Sequence, residues 1–332
     1  MRTRSRQSPL SVENRRRSPV ANPKIGVLVM SYGTPESMDG IEEYYTHIRR
    51  GHAPTPEQLA ELTARYDAVV GGVFPLRENT NRQAEGLQAA LDAAAPGRYA
   101  VYQGLKHARP YIEDGVDAMA ADGVKRAVGI VLAPHFSTMS VGSYMKRAQE
   151  KAEEAGIAFQ EIESYHLHPK LIEALVKRVK DAYAELEQKT GSGQQLKVLF
   201  SAHSLPVRIR EIGDPYEQQL LDTSSVVAEG AGVTDWQFTW QSAGRTREPW
   251  LGPDILDTMK EVAEAGYKGV LSAPIGFVSE HLEVLYDIDI EAQAAAKELG
   301  IELVRIDMLG TDPLYMETLA DSVEQATRTA FI

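Results

Sequence analysis

Short runs of apolar residues recur along the chain and alternate with longer segments of helical periodicity. The first run, residues 25–30, is rich in β-branched side chains and is followed by Gly33 and Pro35, which is typical of a buried strand that ends in a turn. Similar runs predict strands at residues 99–103, 127–132, 197–201, 235–240, 269–273 and 302–306. Amphipathic segments predict helices at 57–69, 80–95, 112–122, 143–155, 169–188, 215–231, 254–265, 280–299 and 312–329. This alternation favours an α/β fold with parallel sheets covered by helices.

Two pairs of similar segments indicate that the chain contains two related halves. The segment VLVMSYGTP at residues 27–35 aligns with VLFSAHSLP at residues 198–206. Likewise, IVLAP at residues 130–134 aligns with VLSAP at residues 270–274. Each pair consists of a predicted strand and a proline at the same offset, so the two halves are predicted to share one pattern of strands.

The domain organisation follows from this duplication. We predict two similar lobes, residues 24–165 and 166–332, each a parallel sheet flanked by helices, with the active-site cleft between them. Residues 1–23 contain six arginines against the single acidic residue Glu13 and are also rich in serine and proline. We predict that this segment is a disordered extension.

Charge and cysteine content narrow the possible functions. The formal net charge is −12 although residues 1–23 are basic, so the two lobes are strongly acidic. An acidic surface disfavours nucleic acid and anionic membranes as partners, but it accommodates a metal cation. The chain has no cysteine, which excludes disulfides, thiolate metal sites and cysteine-ligated iron–sulfur clusters.

Several other classes of function lack their sequence signatures. No apolar run approaches the ~18 residues of a membrane span, so we expect no stable membrane insertion and a cytoplasmic location. Neither a phosphate-binding glycine loop with a following Lys-Ser/Thr nor a Gly-x-Ser-x-Gly elbow is present. Nucleotide-binding and serine-hydrolase functions are therefore disfavoured.

Polar residues follow four of the predicted strands. Tyr32 follows the first strand, residues 135–138 follow the third, and His203 occupies the place in the second half that Tyr32 occupies in the first. A segment from Gly276 to Glu283 follows the strand at residues 269–273. Since ligands bind at the carboxyl ends of strands in open α/β sheets, we predict that these residues meet in one cleft.

Three acidic residues and one histidine are candidates for metal or proton chemistry. Glu283, Asp287 and Glu291 have the spacing i, i+4, i+8, which places them in a line along one face of a helix. This line could carry a divalent metal or departing protons, or it could be a solvated acidic face. His203 could transfer protons or ligate a metal, or it could be a structural hydrogen-bonding residue. Tyr32 could ligate iron or simply pack.

Arginines and tyrosines form two further clusters. The segment YYTHIRRG at residues 44–51 contains Arg49, and Arg65 is followed directly by Tyr66. Guanidinium groups and phenols suit the binding of carboxylates, but surface arginines also pair with the acidic residues of their own chain.

Taken together, the motifs resemble those of the ferrochelatase family. They are LVMSYGTP at 28–35, YYTHIRRG at 44–51, LAPHFST at 132–138, SAHSLP at 201–206, WLGPD at 250–254 and GFVSEHLEVLYD at 276–287. They occur in the family's order and span nearly the whole chain from Lys24. The similarity is greatest to the members without an iron–sulfur cluster from Gram-positive bacteria. This resemblance implies a chelatase-like fold and coproporphyrin III as the substrate.

The resemblance also implies roles for individual residues. His203 and Glu283 would handle Fe²⁺ and the pyrrole protons on one face of the porphyrin, and Tyr32 would be the axial residue on the other face. The positions implied to hold propionates are Arg49, Arg65, Tyr66 and Tyr144, and Phe74 stands at a further porphyrin-binding position. Asp287 and Glu291 would continue the metal route. At residues 71–76 the chain reads GGVFPL where relatives often read GGxSPL, so Phe74 replaces a hydroxyl group.

The implied reaction is the insertion of Fe²⁺ into coproporphyrin III with release of two protons, in haem biosynthesis. We expect no cofactor beyond the substrate Fe²⁺, a monomeric protein, and transient contact with the downstream enzyme that takes the coprohaem. The alternatives are a protoporphyrin IX ferrochelatase, a cobalt or nickel tetrapyrrole chelatase, and a porphyrin or haem carrier without catalytic activity.

Overall fold

The computed structural model describes residues 24–70, 74–191, 193–244 and 246–331. The predicted disordered extension at residues 1–23 lies outside these ranges. The same holds for Gly71, Gly72 and Val73, which belong to the segment where Phe74 replaces a hydroxyl residue.

In the part of the chain that the structure describes, eight strands form two four-stranded parallel sheets. The strands are β1 (Ile25–Ser31), β2 (Tyr99–Leu105), β3 (Arg126–Val131), β4 (Ala158–Ile162), β5 (Leu196–His203), β6 (Trp236–Gln241), β7 (Gly269–Ala273) and β8 (Glu302–Arg305). The strand order is β2-β1-β3-β4 in the first sheet and β6-β5-β7-β8 in the second. All paired strands are parallel. The predicted α/β fold with two similar lobes is confirmed.

Helices connect the strands. They are α1 (Ile41–Ile48), α2 (Pro56–Val70), α3 (Pro75–Ala94), α4 (Ile112–Ala121), α5 (Val141–Glu154), α6 (Pro169–Thr190), α7 (Tyr216–Ala231), α8 (Ile255–Glu264), α9 (Leu282–Leu285), α10 (Gln293–Leu299) and α11 (Pro313–Ala330). A π-helix (Asp287–Ala292) separates α9 from α10, and 3₁₀ turns occupy Met38–Gly40 and Val207–Arg210. In the described ranges, no helix is both long and apolar enough to cross a membrane.

The duplicated sequence segments correspond to equivalent strands. Residues 27–35 and 198–206 cover most of β1 and β5, which hold the same position in the two sheets, and residues 130–134 and 270–274 cover β3 and β7 in part. The lobes differ mainly in the segment that connects their first strand in the sequence to their second. Three helices, α1 to α3, connect β1 to β2, whereas the single α-helix α7 connects β5 to β6.

The sequence pattern missed two elements and misjudged a third. Strand β4 is short and lies at the edge of its sheet with half-buried polar residues, so it lacks the apolar run that marks the other strands. Helix α1 has only eight residues and was also missed. The predicted continuous helix at 280–299 is wrong, because the backbone N–H of Glu291 bonds the carbonyl oxygen of Tyr286, five residues back. That wide π-turn buries Asp287.

The two lobes share one apolar core. Helix α6 packs against β7 and β8 of the second sheet, whereas the C-terminal helix α11 packs against α3, β3 and β4 of the first. A single buried cluster joins Val27 and Ile130 of the first sheet to Val198 and Leu271 of the second, with Tyr315 of α11. The division into lobes at residue 165 stays a prediction, and α11 crosses it.

Helix α4 lies unusually close to β2, and Gly115 makes this approach possible. A Cβ atom at Gly115 would overlap the carbonyl oxygen of Gln103 and lie 2.7 Å from Cδ1 of Leu28. We expect Gly115→Ala to lower the free energy of unfolding by about 1–3 kcal/mol, because overlap with backbone outweighs the gain in helix propensity. Urea denaturation measures this loss. Ala118→Ser on the exposed face of α4 is the control and should change stability by less than about 0.5 kcal/mol. Equal stability of the two variants would contradict the prediction.

Candidate active site

The carboxyl ends of four strands open into one cavity of about 380 Å³. Its wall includes Tyr32 after β1, His135 after β3, His203 at the end of β5, and Gly276 and Glu283 after β7. Residues of both lobes therefore line the same space, as predicted from the strand ends. Parallel strands explain this convergence, because their carboxyl ends lie at one edge of each sheet.

A carboxylate lies between two imidazoles on the second-lobe side of the cavity. Oε1 of Glu283 is 3.5 Å from Nε2 of His203, and Oε2 is 3.5 Å from Nε2 of His281. The backbone of Glu283 is held by the sheet, since Nε2 of Gln241 at the end of β6 donates to its carbonyl oxygen at 3.0 Å. Ser201 on β5 in turn donates to Oε1 of Gln241 at 2.9 Å. The strands thus fix the acid beside the histidine.

The hydrogen-bond pattern assigns the protons of His203. Its Nδ1 contacts the carbonyl oxygen of Ser204, which can only accept, so Nδ1 carries a hydrogen and Nε2 faces Glu283. Burial disfavours the charged imidazole, but the Glu283 carboxylate, the Ser204 carbonyl and Asp287 outweigh it and raise the pKa of His203 to about 9. Burial also acts on Glu283, yet His203 and His281 lower its pKa well below the ordinary value. The two groups form an ion pair at neutral pH.

Tyr32 lies on the first-lobe wall of the same cavity. Its side chain is 40% exposed, and its ring centroid is 4.6 Å from that of His107. Desolvation within the cavity and the negative charge of Glu283 raise the pKa of the Tyr32 hydroxyl above its ordinary value. The phenol is therefore neutral at physiological pH and can donate or accept a hydrogen bond.

The acidic residues run from the cavity to the surface. Glu283 lines the cavity, Asp287 is buried, and Glu291 is exposed. Asp287 contacts the guanidinium of Arg65 and the hydroxyl of Ser242. Burial and the charges of Glu283 and Glu291 raise the pKa of Asp287 to about 6, against the opposing effects of Ser242 and Arg65. The line is thus partly neutralised, which the sequence pattern did not indicate.

The five predicted metal-binding residues do not form a single centre. Across the described ranges, no three His, Asp or Glu side chains cluster closely enough to hold a metal ion. His203 and Glu283 form a pair, Asp287 is engaged by Arg65, and Tyr32 belongs to the opposite lobe. This arrangement offers a few ligands to a passing cation and does not enclose it.

The predicted carboxylate-binding residues divide into two groups. Arg65, Tyr66 and Tyr144 line the cavity, and the guanidinium of Arg65 also lies 4.5 Å from the Tyr286 ring centroid. Tyr66 donates to or accepts from the Thr34 hydroxyl at 3.2 Å.

Arg49 and Phe74 are not brought to the cavity wall. Nε of Arg49 donates to the carbonyl oxygen of His52 at 3.1 Å, and its guanidinium lies 5.6 Å from the Tyr45 ring centroid. Phe74 is buried, with its ring centroid 5.0 Å from that of Tyr66 behind the wall. The apolar ring of Phe74 explains this position, because it joins the core cluster that also contains Ile41 and Tyr66.

Sequence reasoning missed a group of basic residues beside Tyr32. A second cavity of about 790 Å³ adjoins the first and shares Tyr32 and Lys106 with it. Nζ of Lys106 donates to the Ser143 hydroxyl at 2.7 Å, and burial together with Arg147 lowers its pKa to about 8. Nδ1 of His107 lies 3.0 Å from Nδ1 of a second histidine, His47. Their place in the sequence could have identified them, because Lys106 and His107 directly follow the end of strand β2, where ligands bind in such sheets.

His281 was also missed, because no other histidine has a ligand-like spacing to it. It precedes Glu283 by two residues in the turn before α9, and its Nδ1 contacts the carbonyl oxygen of Ser279 at 3.0 Å. The contact with Glu283 depends on the fold of this turn, which periodicity does not reveal.

The charge state of His203 gives a direct test of the ion pair. In Glu283→Gln the burial of His203 remains while the main stabilising charge is removed, so the pKa should fall from about 9 to about 6.5 or lower. Near pH 8 the wild-type imidazole is then mostly charged, whereas the variant imidazole is mostly neutral. NMR titration of the His203 Cε1–H resonance measures the change. Glu291→Gln is the control and should keep the pKa near 9, and a wild-type value near 6.5 would contradict the ion pair.

Comparison with known proteins agrees with this geometry. The sequence profile of the family described as Ferrochelatase matches residues 24–327. A coproporphyrin III ferrochelatase from Halalkalibacterium halodurans is 46% identical over 91% of this chain and 97% of its own length. A ferrochelatase from Herpetosiphon aurantiacus is 46% identical over 89% and 97%. Among solved structures, the sirohydrochlorin chelatase SirB from Bacillus subtilis subspecies spizizenii, in complex with cobalt, shares the fold, with a TM-score of 0.56 at 12% identity, covering 92% of this chain and 96% of that one. The chain belongs to the ferrochelatase family.

Proposed function

We propose that the protein inserts Fe²⁺ into coproporphyrin III and releases the two pyrrole protons. The observation that carries this proposal is the ion pair of His203 and Glu283 in a cavity that Tyr32 lines from the other lobe. The name of the relative from Halalkalibacterium halodurans supports this choice of porphyrin.

The ion pair couples metal binding to proton loss. Insertion exchanges two pyrrole protons for one divalent cation, so the site must bind the cation and accept protons. Nε2 of His203 carries a proton at neutral pH, and so it cannot bind a metal until that proton leaves. Fe²⁺ near the pair repels the charged imidazole and lowers its pKa, so that Nε2 passes its proton to the adjacent Glu283 carboxylate and becomes free to bind the metal. Glu283 releases that proton along the acidic line and then accepts the two pyrrole protons one after the other.

The acidic residues behind Glu283 provide a path for the protons. Asp287 titrates near pH 6 and therefore exchanges protons readily at physiological pH. Glu291 lies beyond it at the surface. Protons from Glu283 leave along this line, and the same carboxylates attract cations from solvent.

Groups on the first lobe hold the porphyrin. Tyr32 faces the ring from the wall that β1 supplies, with a neutral phenol that can accept or donate a hydrogen bond. Arg65, Tyr66 and Tyr144 bind peripheral carboxylates through one guanidinium and two hydroxyl groups. Lys106 adds a cation on the same side, so a ring with four carboxylates is better matched than one with two.

The proposal also covers the oligomeric state, the location, the partner and the cofactors of the protein. We expect a monomer in the cytoplasm that passes its product to a downstream enzyme by transient contact. We expect no cofactor besides the substrate Fe²⁺, since a chain without cysteine offers no thiolate for an iron–sulfur cluster.

The choice of porphyrin is tested by anaerobic Fe²⁺ insertion, followed by absorbance, with coproporphyrin III and protoporphyrin IX side by side. We expect kcat/KM for coproporphyrin III to be at least about tenfold higher, because each added charge-assisted hydrogen bond contributes about 1.5–3 kcal/mol. A preference for protoporphyrin IX would keep the reaction and overturn the substrate. Tight binding of both rings without insertion would identify a carrier.

The role of the acid is tested by Glu283→Gln. We expect kcat for insertion to fall by about 100-fold or more, because the amide can neither accept a pyrrole proton nor attract Fe²⁺ as a carboxylate does. The dissociation constant for coproporphyrin III, measured by fluorescence quenching, should stay within about threefold. Glu298→Gln on the exposed face of α10 is the matched control and should retain full activity. Normal turnover of Glu283→Gln would remove this residue from the reaction.

A further inference from the structure

The two lobes are joined beside the cavity by a polar seam. Helix α7 and the turn before it present Asp214, Gln219 and Thr223 to the first lobe. Oε1 of Gln219 accepts from the backbone N–H of Phe136 at 2.7 Å, and the Thr223 hydroxyl lies 3.0 Å from Nε2 of His135. The second lobe thereby holds the loop that follows β3.

Asp214 is the residue of this seam whose carboxylate bonds both the loop after β3 and the start of α7. Its Oδ2 accepts from the backbone N–H of Thr138 at 2.7 Å and from the Ser137 hydroxyl at 3.0 Å. Its Oδ1 accepts from the backbone N–H of Tyr216 at 3.1 Å. One half-buried carboxylate therefore binds a loop of the first lobe and the first residue of α7 in the second.

Both segments that Asp214 bonds, the loop after β3 and the start of α7, lead to the wall of the cavity. Ser137 and Thr138 precede α5, whose first turns place Tyr144 in the wall, and the Ser137 carbonyl oxygen accepts from Gly142 N–H at 2.9 Å. On the other side, the Tyr216 hydroxyl donates to the carbonyl oxygen of His203 at 3.1 Å. Asp214 therefore bonds Tyr216, which itself lines the cavity, and is connected to Tyr144 of the first-lobe wall through the loop before α5.

We infer that Asp214 is a positioning residue that fixes the distance between His203 and the porphyrin-binding wall of the first lobe. The inference rests on the proposed function, since it concerns the same cavity. Asp214 does not line the cavity and acts only through Tyr216 and through the loop before α5. Chelation needs this alignment, because Nε2 must reach the centre of a ring whose edge is held by the opposite lobe.

The carboxylate is needed because all three of its partners are donors. An asparagine at this position has the same size, but its Nδ2 is a donor and cannot accept from Tyr216 or from Ser137 and Thr138. Asp214→Asn thus breaks either the bond to Tyr216 of the second lobe or the bonds to Ser137 and Thr138 of the first. The bonds of Gln219 and Thr223 remain, so the lobes stay joined while their alignment is loosened.

The test measures Asp214→Asn for kcat with Zn²⁺ and coproporphyrin III, for porphyrin affinity, and for the NMR signal of His203. We expect kcat to fall by about tenfold or more, the dissociation constant to stay within about threefold, and the His203 Cε1–H resonance to shift. Asp222→Asn is the matched control, because Asp222 also lies on α7 but accepts from Gln218 of its own helix, at 2.8 Å. The control should leave all three quantities unchanged.

A double variant separates positioning from simple destabilisation. Tyr216→Phe removes the hydroxyl that holds His203, so Asp214→Asn combined with Tyr216→Phe should lower kcat little beyond the worse single variant. If Asp214→Asn proves too unstable to assay, Ser137→Ala removes one of its bonds and should lower kcat by about threefold with unchanged porphyrin affinity. A lower unfolding midpoint with normal kcat and an unshifted His203 resonance would overturn the inference. The inference would also be overturned if the fold-losses in kcat of the two single variants multiplied in the double variant.

The failure of this inference is distinguishable from the failure of the proposed function. Wild-type protein that inserts neither Fe²⁺ nor Zn²⁺ would reject the function, and the His203 resonance would still report whether Asp214 positions that residue. Active wild-type protein with a fully active Asp214→Asn variant would reject the positioning role alone.

Discussion

A half-buried ion pair between His203 and Glu283 governs the chemistry of the cavity. Burial alone would favour the neutral form of each group, but each charge stabilises the other, so a cation and an anion persist side by side. In the proposed reaction, an approaching metal ion is attracted by the carboxylate and competes with the imidazole proton for Nε2. Metal binding and proton loss would then be one electrostatic event on one wall of the cavity.

Parallel strands make this pair possible. His203 ends β5 and Glu283 follows β7, and these neighbouring strands pair directly, with Phe200 opposite Ala273. Their carboxyl ends must therefore lie together, although the two residues are far apart in sequence. The duplication of the lobes then brings a second set of strand ends to the same space, with Tyr32 at the position that matches His203. Helix α11 crosses to the first sheet and joins both lobes in one core.

The sequence pattern predicted the features of the site that follow from where strands end. It did not predict the features that follow from how side chains pack. The apolar runs and the duplicated segments were sufficient for seven of the eight described strands and for a shared cleft that includes Tyr32, His203 and Glu283, but they missed the edge strand β4. They could not reveal that Arg65 neutralises Asp287, because that contact joins α2 to a π-turn in the other lobe. They also could not place Phe74, whose burial follows from its ring and not from the pattern around it.

The charges of the cavity are divided between the lobes, and this division orients a ligand. The second lobe contributes the carboxylate of Glu283, which is paired with His203, whereas the first contributes the cations of Arg65 and Lys106. A flat molecule with anionic groups at its edge and a metal-binding centre is therefore favoured in one orientation relative to the two lobes. Its edge is drawn to the first lobe, and this leaves the centre against His203 of the second. A peripheral carboxylate gains more from these cations than from the electrically neutral pair of His203 and Glu283, which leaves that wall free for the metal.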